Sequence, residues 1–445
     1  MSIAESDAKS RKISQLVHDL ARLRGQPAVA SSQPLAFWVP GRIEVLGKHT
    51  DYGGGRSLLC AVERGICLVT SPRTEHAPAR AKNTLRILDA NSGEIAELEL
   101  SPDIEPVPGH WSNYPITVVR RIAMNFPGPM RGADVVFASD LPPAAGVSSS
   151  SALVVAFFLA LSAINDLPAR QEYRDNIHTP EDLAGYLGCV ENGLDFKSLH
   201  GRAGVGTFGG SEDQTAILCA QPNSLVQYSF CPVTFERAIP LSDDLIFVIA
   251  TSGVLAEKTG SALELYNRVS RRLSVGLECW NRATGRMDSS MGAAIATSPD
   301  ARARIRDILS AATNAAYPAE SLVRRFEQFD SEANEIIPHA ADALARGDIA
   351  AFGAYVAESQ RGAERALENQ IPETVALVRL ARSMGADAAS AFGAGFGGSV
   401  WALVDSSLAQ DFQHEWMERY HRAFPERADR SDFFVTRAGP AATAL

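Results

Sequence analysis

The sequence lacks the cysteine patterns that hold a metal or cross-link a small secreted fold. Its six Cys include no CxxC pair and no zinc-type spacing, which excludes a zinc ribbon or zinc finger. In a chain of 445 residues we expect these Cys to be reduced thiols in the core.

Long apolar runs and an excess of basic residues are also missing. The longest apolar run, LVVAFFLALSAI from Leu153 to Ile164, is too short to cross a bilayer, and the first residues, MSIAESDAKSRK, contain no apolar signal core. The net charge is −10 and only six residues are Lys, which disfavours a nucleic-acid groove. We therefore expect a cytoplasmic protein with neither nucleic-acid nor membrane partners.

The composition that remains is that of an ordinary globular protein, 46% hydrophobic and 21% charged. Helical and strand-like segments are intermixed without strict alternation, which predicts an α+β fold rather than a doubly wound sheet. The patterns predict helices over 10–25, 148–166 and 260–280, strands over 36–47 and 245–253, a Gly-rich loop entering a strand over 386–405, and a last strand over 432–439. We divide the chain into a helical extension, 1–34, and two domains, 35–240 and 241–445.

The segment GRIEVLGKHTDYGGG, from Gly41 to Gly55, places many polar groups beside a glycine cluster. Their spacing does not fit an amphipathic surface helix, and His49 and Asp51 have no nearby third ligand for zinc. Loops with convergent donors and acceptors commonly bind polyols or other small polar molecules. A solvated loop is the alternative.

A second segment, SDLPPAAGVSSSSALVVAFF, places a glycine loop and four Ser at the start of an apolar helix. The exposed amides at such a helix start favour an anion, which suggests a phosphate cradle without the Lys of a Walker loop. The alternative is a Ser N-cap before a core helix.

Two further segments have both a functional and a structural interpretation. SAFGAGFGGSVWALV holds four Gly between Gly393 and Gly398, which suits a tight loop against a ligand or a plain hairpin turn. In GTFGGSEDQTAIL, Asp213 follows a Gly pair and is either a general base or a helix cap.

Taken in order, GRIEVLGKHTDY, LPPAAGVSSSSAL and SAFGAGFGGSV resemble the three motifs of the galactokinases, which are members of the GHMP small-molecule kinases. The resemblance runs from about Phe37 to Val404. It implies a two-domain fold with mixed sheets and an active site in the cleft between the domains. It also implies ATP-dependent phosphorylation of a sugar at its anomeric hydroxyl, with Mg²⁺, in a protein that is a monomer.

The resemblance assigns roles residue by residue. Asp213 would be the catalytic base, and Arg42 the cation that orients it and stabilises the transferred charge. The sugar would contact Lys48, His49, Asp51, Gly210 and Tyr266. The ATP phosphates would contact Gly146, Val147, Ser148, Ser149, Ser150, Gly395 and Gly397. Ser150 and Glu191 would be associated with Mg²⁺.

The sequence departs from the family's first motif at two positions. Glu44 stands where the family has Asn, and Lys48 stands where it has the Glu that holds the sugar's C6 hydroxyl. Lys cannot accept a hydroxyl proton but can pair with a carboxylate, so a uronic acid such as galacturonate is one hypothesis for the substrate. The other is that Glu44 and Lys48 pair with each other while the site binds galactose or a close neutral hexose.

Three smaller departures concern the other motifs. About ten extra residues separate Glu191 from Asp213, Ala144 replaces a Gly, and Phe392 replaces a Thr. Two further classes of function are compatible with the resemblance: a catalytically silent sugar sensor and a GHMP kinase for a non-sugar substrate. The presence of Arg42, Asp213 and the Ser-rich loop favours the sugar kinase.

Overall fold

The computed structural model describes residues 3–25, 34–73, 82–142, 145–254 and 261–445. Ala144, one of the departures noted above, lies outside these residues. Within the described part of the chain, no helix is long and apolar enough to cross a membrane.

The larger of two sheets contains the strand that carries the polar motif. Its order is β12-β1-β2-β5-β3-β4, with β6 paired to β2 and to β7, and only the β3–β5 pair is parallel. Its strands are β1 (Leu35–Leu46), β2 (Arg56–Pro72), β3 (Thr84–Asp89), β4 (Ile95–Glu99), β5 (Ala133–Ser139), β6 (Ser224–Ser229), β7 (Thr234–Pro240) and β12 (Thr443–Ala444).

Helices in the first part of the chain cover this sheet. They are α1 (Ile3–Arg24), α2 (Asn113–Asn125), α3 (Ser149–Asn165), α4 (Gln171–Asn176), α5 (Pro180–Asn192) and α6 (Glu212–Cys219). Along β1, Phe37 and Val39 join the main core on one face, whereas Trp38 packs with Leu16 and Leu20 of α1 on the other. Because both faces are covered, β1 is almost wholly buried, including its two charged residues, Arg42 and Glu44.

The smaller sheet has the order β11-β8-β10-β9 and is antiparallel throughout. Its strands are β8 (Leu245–Thr251), β9 (Ala388–Phe392), β10 (Ser399–Asp405) and β11 (Phe433–Thr436). The helices that follow β8 are α7 (Ser261–Thr284), α8 (Met291–Ile295), α9 (Ala301–Ser310), α10 (Ala319–Ser331), α11 (Ile337–Ala345), α12 (Ile349–Gly362), α13 (Pro372–Ser383) and α14 (Ala409–Ala423).

Two single-turn π-helices interrupt the helical part, at Glu332–Ile336 and Ala363–Leu367. Such turns are often found at functional sites. The first one presents Glu332, whose carboxylate accepts hydrogen bonds from the Gly47 amide at 3.0 Å and from the Ser359 hydroxyl at 2.8 Å. The helical part of the chain therefore fixes the backbone directly after the end of β1.

The α+β class is confirmed, and the buried helix predicted over 148–166 is present as α3. Helix α1 begins at Ile3, earlier than predicted. The prediction that 432–439 is the last strand is wrong, because β12 follows it; a strand of two residues leaves no periodic pattern in a sequence. The Gly-rich segment connects β9 to β10, so a strand precedes the loop as well as following it. The domain limits stay a prediction.

The expectation that all Cys are core thiols is only partly correct. All six are free; Cys60 and Cys67 are buried, but Cys231 is exposed.

Candidate active site

Arg42 projects from β1 into a cleft and binds the acid that the sequence singled out. Its Nη2 lies 2.7 Å and its Nε 2.8 Å from Oδ1 of Asp213, 171 residues away. Its Nη1 donates to the Gly146 carbonyl at 2.5 Å. Burial lowers the pKa of Arg42, but Asp213, Glu44 and Glu212 outweigh burial and raise it overall. Arg42 is thus a fixed cation that connects the predicted base to the Ser-rich loop.

Asp213 lies in the first turn of α6, and the polar motif holds this turn in place. The Oδ2 of Asp51 accepts a hydrogen bond from the Glu212 amide at 3.1 Å. A Cβ on Gly210 would lie 2.4 Å from the same Asp51 oxygen, so the close approach requires Gly. Burial raises the pKa of Asp51, while the hydrogen bond from the Glu212 amide opposes the rise.

One hydroxyl connects the predicted base with the predicted metal-associated carboxylate. Ser151 Oγ lies 2.8 Å from Glu191 Oε2 and 3.2 Å from Asp213 Oδ2, and it can donate to only one of them at a time. Gln214 also donates to Glu191 Oε2, at 2.7 Å. Since Glu191 lines the same cleft as Asp213, the extra residues between them do not separate the two carboxylates.

His49 is oriented by groups from both halves of the chain. Its Nε2 lies 3.1 Å from the Ala394 carbonyl, and its Nδ1 lies 3.2 Å from the Tyr52 hydroxyl. A carbonyl only accepts, so Nε2 carries a proton and donates to Ala394, while Nδ1 shares a hydrogen bond with the Tyr52 hydroxyl. Buried Arg325 of α10 donates to the Tyr52 oxygen at 3.0 Å and to the His49 carbonyl at 2.5 Å. The ring of Tyr266 lies 5.4 Å from that of His49.

Lys48 does not line the cleft, although it was predicted to bind the substrate. The side chain is only 1% exposed, and its Nζ donates to Ser390 at 2.8 Å and to Ser359 at 3.1 Å. Both hydroxyls come from the second half of the chain, on β9 and α12. The ammonium is therefore used within the fold.

Glu44 and Glu212, by contrast, line the cleft side by side. Glu44 Oε2 accepts from the Gly393 amide at 3.3 Å, and Glu212 Oε2 accepts from the Ser57 hydroxyl at 2.7 Å. Burial raises the pKa of Glu44 to about 7, although the charges of Arg42 and Lys48 lower it. Burial and the neighbouring Glu44 also raise the pKa of Glu212 well above its ordinary value.

The Ser-rich loop and the Gly-rich loop meet beside this cleft. Ser399 donates to the Ala145 carbonyl, and a Cβ on Gly393 would lie 3.0 Å from the Gly146 oxygen. Ser148 has a φ of 60°, after which Ser149 and Ser150, both half-buried, begin α3. The left-handed turn opens the first amides of α3. In the Gly-rich loop, Gly395 and Gly397 also have positive φ, and Gly395 lies against Asn369.

The residues proposed for Mg²⁺ have suitable chemistry. Glu191 and Ser150 offer oxygen donors, which Mg²⁺ prefers, and only one or two protein ligands are needed when nucleotide phosphates supply the rest. Among the described residues, no group of three or more His, Cys, Asp or Glu could hold a metal ion by itself. The donor set thus fits a nucleotide-bound cation better than a resident metal.

The cleft, about 540 Å³ including the space that opens to solvent, brings most predicted catalytic and sugar residues together. The predicted residues that line it are Arg42, His49, Asp51, Glu191, Gly210, Asp213 and Tyr266. Two lining residues, Gly393 and Ala394, belong to the predicted Gly-rich loop, and Glu44 was predicted only as a partner of Lys48. No role was predicted for the other lining residues, which are Tyr52, Gly188, Asn192, Thr207, Gly209, Glu212 and Gln214. The TDY and EDQ neighbours of the predicted residues were the available signal for Tyr52, Glu212 and Gln214.

Comparison with protein families identifies the class. The model described as "Galactokinase galactose-binding signature" matches residues 28–72, that of the GHMP kinases N terminal domain matches 113–192, and that of the GHMP kinases C terminal matches 340–422. The fold and the site therefore define a GHMP kinase.

Individual relatives narrow the family. The galactokinase of Roseiflexus sp. (strain RS-1) is 30% identical over 391 residues, which cover 86% of this chain and 87% of that protein. The Bos taurus galactokinase is 28% identical over 393 residues, with 87% and 88% covered. The chain belongs to the galactokinase family.

Solved structures agree on the fold. Lactococcus lactis galactokinase, crystallised with galactose, superposes with a TM-score of 0.78 at 21% identity and covers 97% of this chain and 100% of that one. The mevalonate kinase of Methanococcus jannaschii gives a TM-score of 0.54 at 14% identity, with 92% and 100% covered.

Proposed function

We propose that the protein is an ATP-dependent sugar 1-kinase that transfers the γ-phosphate of ATP to the anomeric hydroxyl of galactose or a related hexose. The observation that carries the proposal is the buried contact of Arg42 with Asp213, at 2.7 Å, inside a cleft lined by sugar-binding types of side chain. Galactokinase family membership supports the same activity.

Asp213 orients the attacking hydroxyl and accepts its proton. Arg42 already occupies one carboxylate oxygen of Asp213, so orientation of the hydroxyl is the larger part of the action of Asp213. The same guanidinium, held between Asp213 and the Gly146 carbonyl, faces the place where negative charge develops on the transferred group. Phosphoryl transfer needs mainly such positioning and charge neutralisation.

The remaining polar groups bind the sugar and the phosphates. His49, Asp51, Tyr266 and the backbone at Gly210 offer donors and acceptors of the kind that bind hydroxyls. The amides that open α3, from Gly146 to Ser150, cradle the phosphates at the positive end of the helix. The hairpin loop containing Gly395 and Gly397 lies over the nucleotide and the sugar.

Ser150 and Glu191 would hold Mg²⁺ together with the nucleotide. When bound, the cation neutralises charge on the β- and γ-phosphates. A monomeric state and a cytoplasmic location stay predictions.

Asp213→Asn tests the catalytic assignment. We expect ADP release with galactose to fall at least about 100-fold while binding of an ATP analogue changes little, because the amide keeps the shape but cannot take the proton. Asp103→Asn is the matched control, since the side chain of Asp103 is 81% exposed. Near-normal turnover by Asp213→Asn would remove this residue from the base role.

A panel of substrates separates the other classes of function. ADP release and thermal shift are measured with galactose, galacturonate, glucuronate, mevalonate and homoserine. Saturable sugar binding without turnover would identify a sugar sensor, and turnover of mevalonate or homoserine would identify a non-sugar kinase.

A further inference from the structure

One carboxylate oxygen of Glu44 has no N–H or hydroxyl donor among the described residues. The residue is 4% exposed and lines the cleft, two positions beyond Arg42 on the same face of β1. Its Oε2 accepts from the Gly393 amide, whereas its buried Oε1 receives no hydrogen bond from an N–H or hydroxyl group among the described residues; the Glu44 carboxyl also forms a hydrogen bond with that of Glu212. A buried acceptor without a donor is costly, and a ligand that brings a hydroxyl removes that cost.

The charges around Glu44 decide which ligands can approach it. Carboxyl groups that line the cleft belong to Glu44, Asp51, Glu191, Glu212 and Asp213, whereas Arg42 is the only Lys or Arg among the lining residues in the described part of the chain. Arg42 is already bound to Asp213. A substrate carboxylate would therefore approach acidic groups, with no unpaired Lys or Arg among the described lining residues, in a place where charge is poorly screened. Since burial raises the pKa of Glu44 to about 7, repulsion by Glu44 is strongest above that pH.

Lys48, the residue that the sequence suggested as the partner of a substrate carboxylate, faces away from the cleft. Its Nζ contacts Ser359 and Ser390, and its charge reaches Glu44 only through the protein, where it helps to keep that carboxyl ionised. Of the two residues that depart from the family's first motif, Glu44 thus lines the cleft, whereas Lys48 lies outside it.

We propose that Glu44 determines the sugar specificity of this site: its carboxyl accepts a hydrogen bond from a substrate hydroxyl and repels a substrate carboxylate. The inference rests on the proposed sugar kinase activity and adds the residue that restricts it to uncharged sugars. When Glu212 is protonated, it can donate a hydrogen bond to Glu44. The two carboxyls then share one proton and still carry no positive charge that could bind a substrate carboxylate.

Binding and turnover are measured separately, so that failure of this inference differs from failure of the proposed activity. Dissociation constants for galactose and galacturonate are determined by calorimetry with a non-hydrolysable ATP analogue, for the whole chain and for Glu44→Gln. Glu97→Gln on β4 is the control, because that side chain is 61% exposed. ADP release gives KM and kcat for the same proteins.

We expect the unchanged chain to bind galacturonate at least about 100-fold more weakly than galactose. Glu44→Gln should raise the KM for galactose about tenfold and change kcat less than about threefold. It should also reduce the ratio of the galacturonate to the galactose dissociation constant at least about tenfold. If Glu44→Gln does not fold, Glu44→Asn is measured in its place, and the preference of the unchanged chain is informative by itself.

Equal affinity for the two sugars in the unchanged chain, or an unaltered preference in both Glu44 variants, would overturn the role of Glu44 while leaving a working kinase. If the unchanged chain neither bound nor turned over any sugar, the proposed activity itself would be refuted.

Discussion

The two halves of the chain contribute different kinds of chemical group to the cleft. Residues before 240 contribute nearly all of its charged groups, from Arg42 on β1 to Asp213 on α6. Among the described residues after 245, those that line the cleft are Tyr266, with its phenol, Gly393 and Ala394. The first half therefore holds the groups for chemistry, and the second half shapes and closes the space around them.

The second half also supports the first half from behind. Arg325 binds the His49 carbonyl, Glu332 binds the Gly47 amide, and Ser390 binds the Lys48 ammonium. None of these three supporting residues lines the cleft. We therefore expect substitutions in the first half to lower kcat/KM strongly, and substitutions of cleft residues in the second half to change mainly KM.

The largest effect is expected in the first half, from Arg42→Lys. Lys keeps the charge but has no planar fork that could contact Asp213 and the Gly146 carbonyl at once. We expect kcat/KM for galactose to fall about 100- to 1,000-fold, measured by ADP release. Arg302→Lys, on an exposed ion pair, is the control. A loss below about threefold would mean that the charged half does not control the rate.

The pH dependence of folding should come next in size, and it also belongs to the first half. Burial raises the pKa of Glu44 to about 7 from its ordinary 4.5, so the folded state keeps this proton to higher pH than the unfolded state does. Stability is then greatest below pH 4.5 as far as this group is concerned, and it is lost as the pH rises through about 7. The shift corresponds to about 3 kcal/mol, and Glu212 adds to it in the same direction.

Urea unfolding between pH 4.5 and 8.5, without ligand, measures this loss. Glu44→Gln should flatten the profile, because the amide has no proton to lose. An equally steep decrease for both proteins would assign the pH dependence to other groups and separate it from the cleft.

The smallest effect is expected in the second half, from Tyr266→Phe. The ring remains beside His49, and only the hydroxyl near Gly209 is removed. We expect the KM for galactose to rise about threefold with kcat unchanged, since one hydrogen bond is worth about 1 kcal/mol or less. Tyr355→Phe, on α12 outside the cleft, is the control. A fall in kcat as large as that of Arg42→Lys would erase the difference between the halves.

Much of the site could be predicted because its groups lie in short, dense motifs. Arg42, His49 and Asp51 fall within ten residues, and the glycines beside Asp213 mark the close approach that Asp51 makes to Gly210. The helix after the Ser-rich loop was also predictable, because its apolar run leaves no other structure that could bury it.

Side-chain direction after the end of a strand could not be predicted in the same way. Lys48 lies next to His49 in the sequence, yet its ammonium leaves the cleft for hydroxyls more than 300 residues away. The sequence suggested Glu44 as a partner for Lys48, whereas the register of β1 places Glu44 beside Arg42 in the cleft. Long-range contacts settle such choices, and a single sequence does not contain them.

The short strand β12 has a practical consequence. It pairs with Phe37 and Trp38, and the Leu445 amide donates to the Ala36 carbonyl at 2.9 Å, so this tail covers the outer margin of the strand that carries Arg42. Without residues 443–445 the margin would expose unpaired backbone groups, which invite association between copies. Affinity tags on expressed protein are therefore better placed before Ile3 than after Leu445.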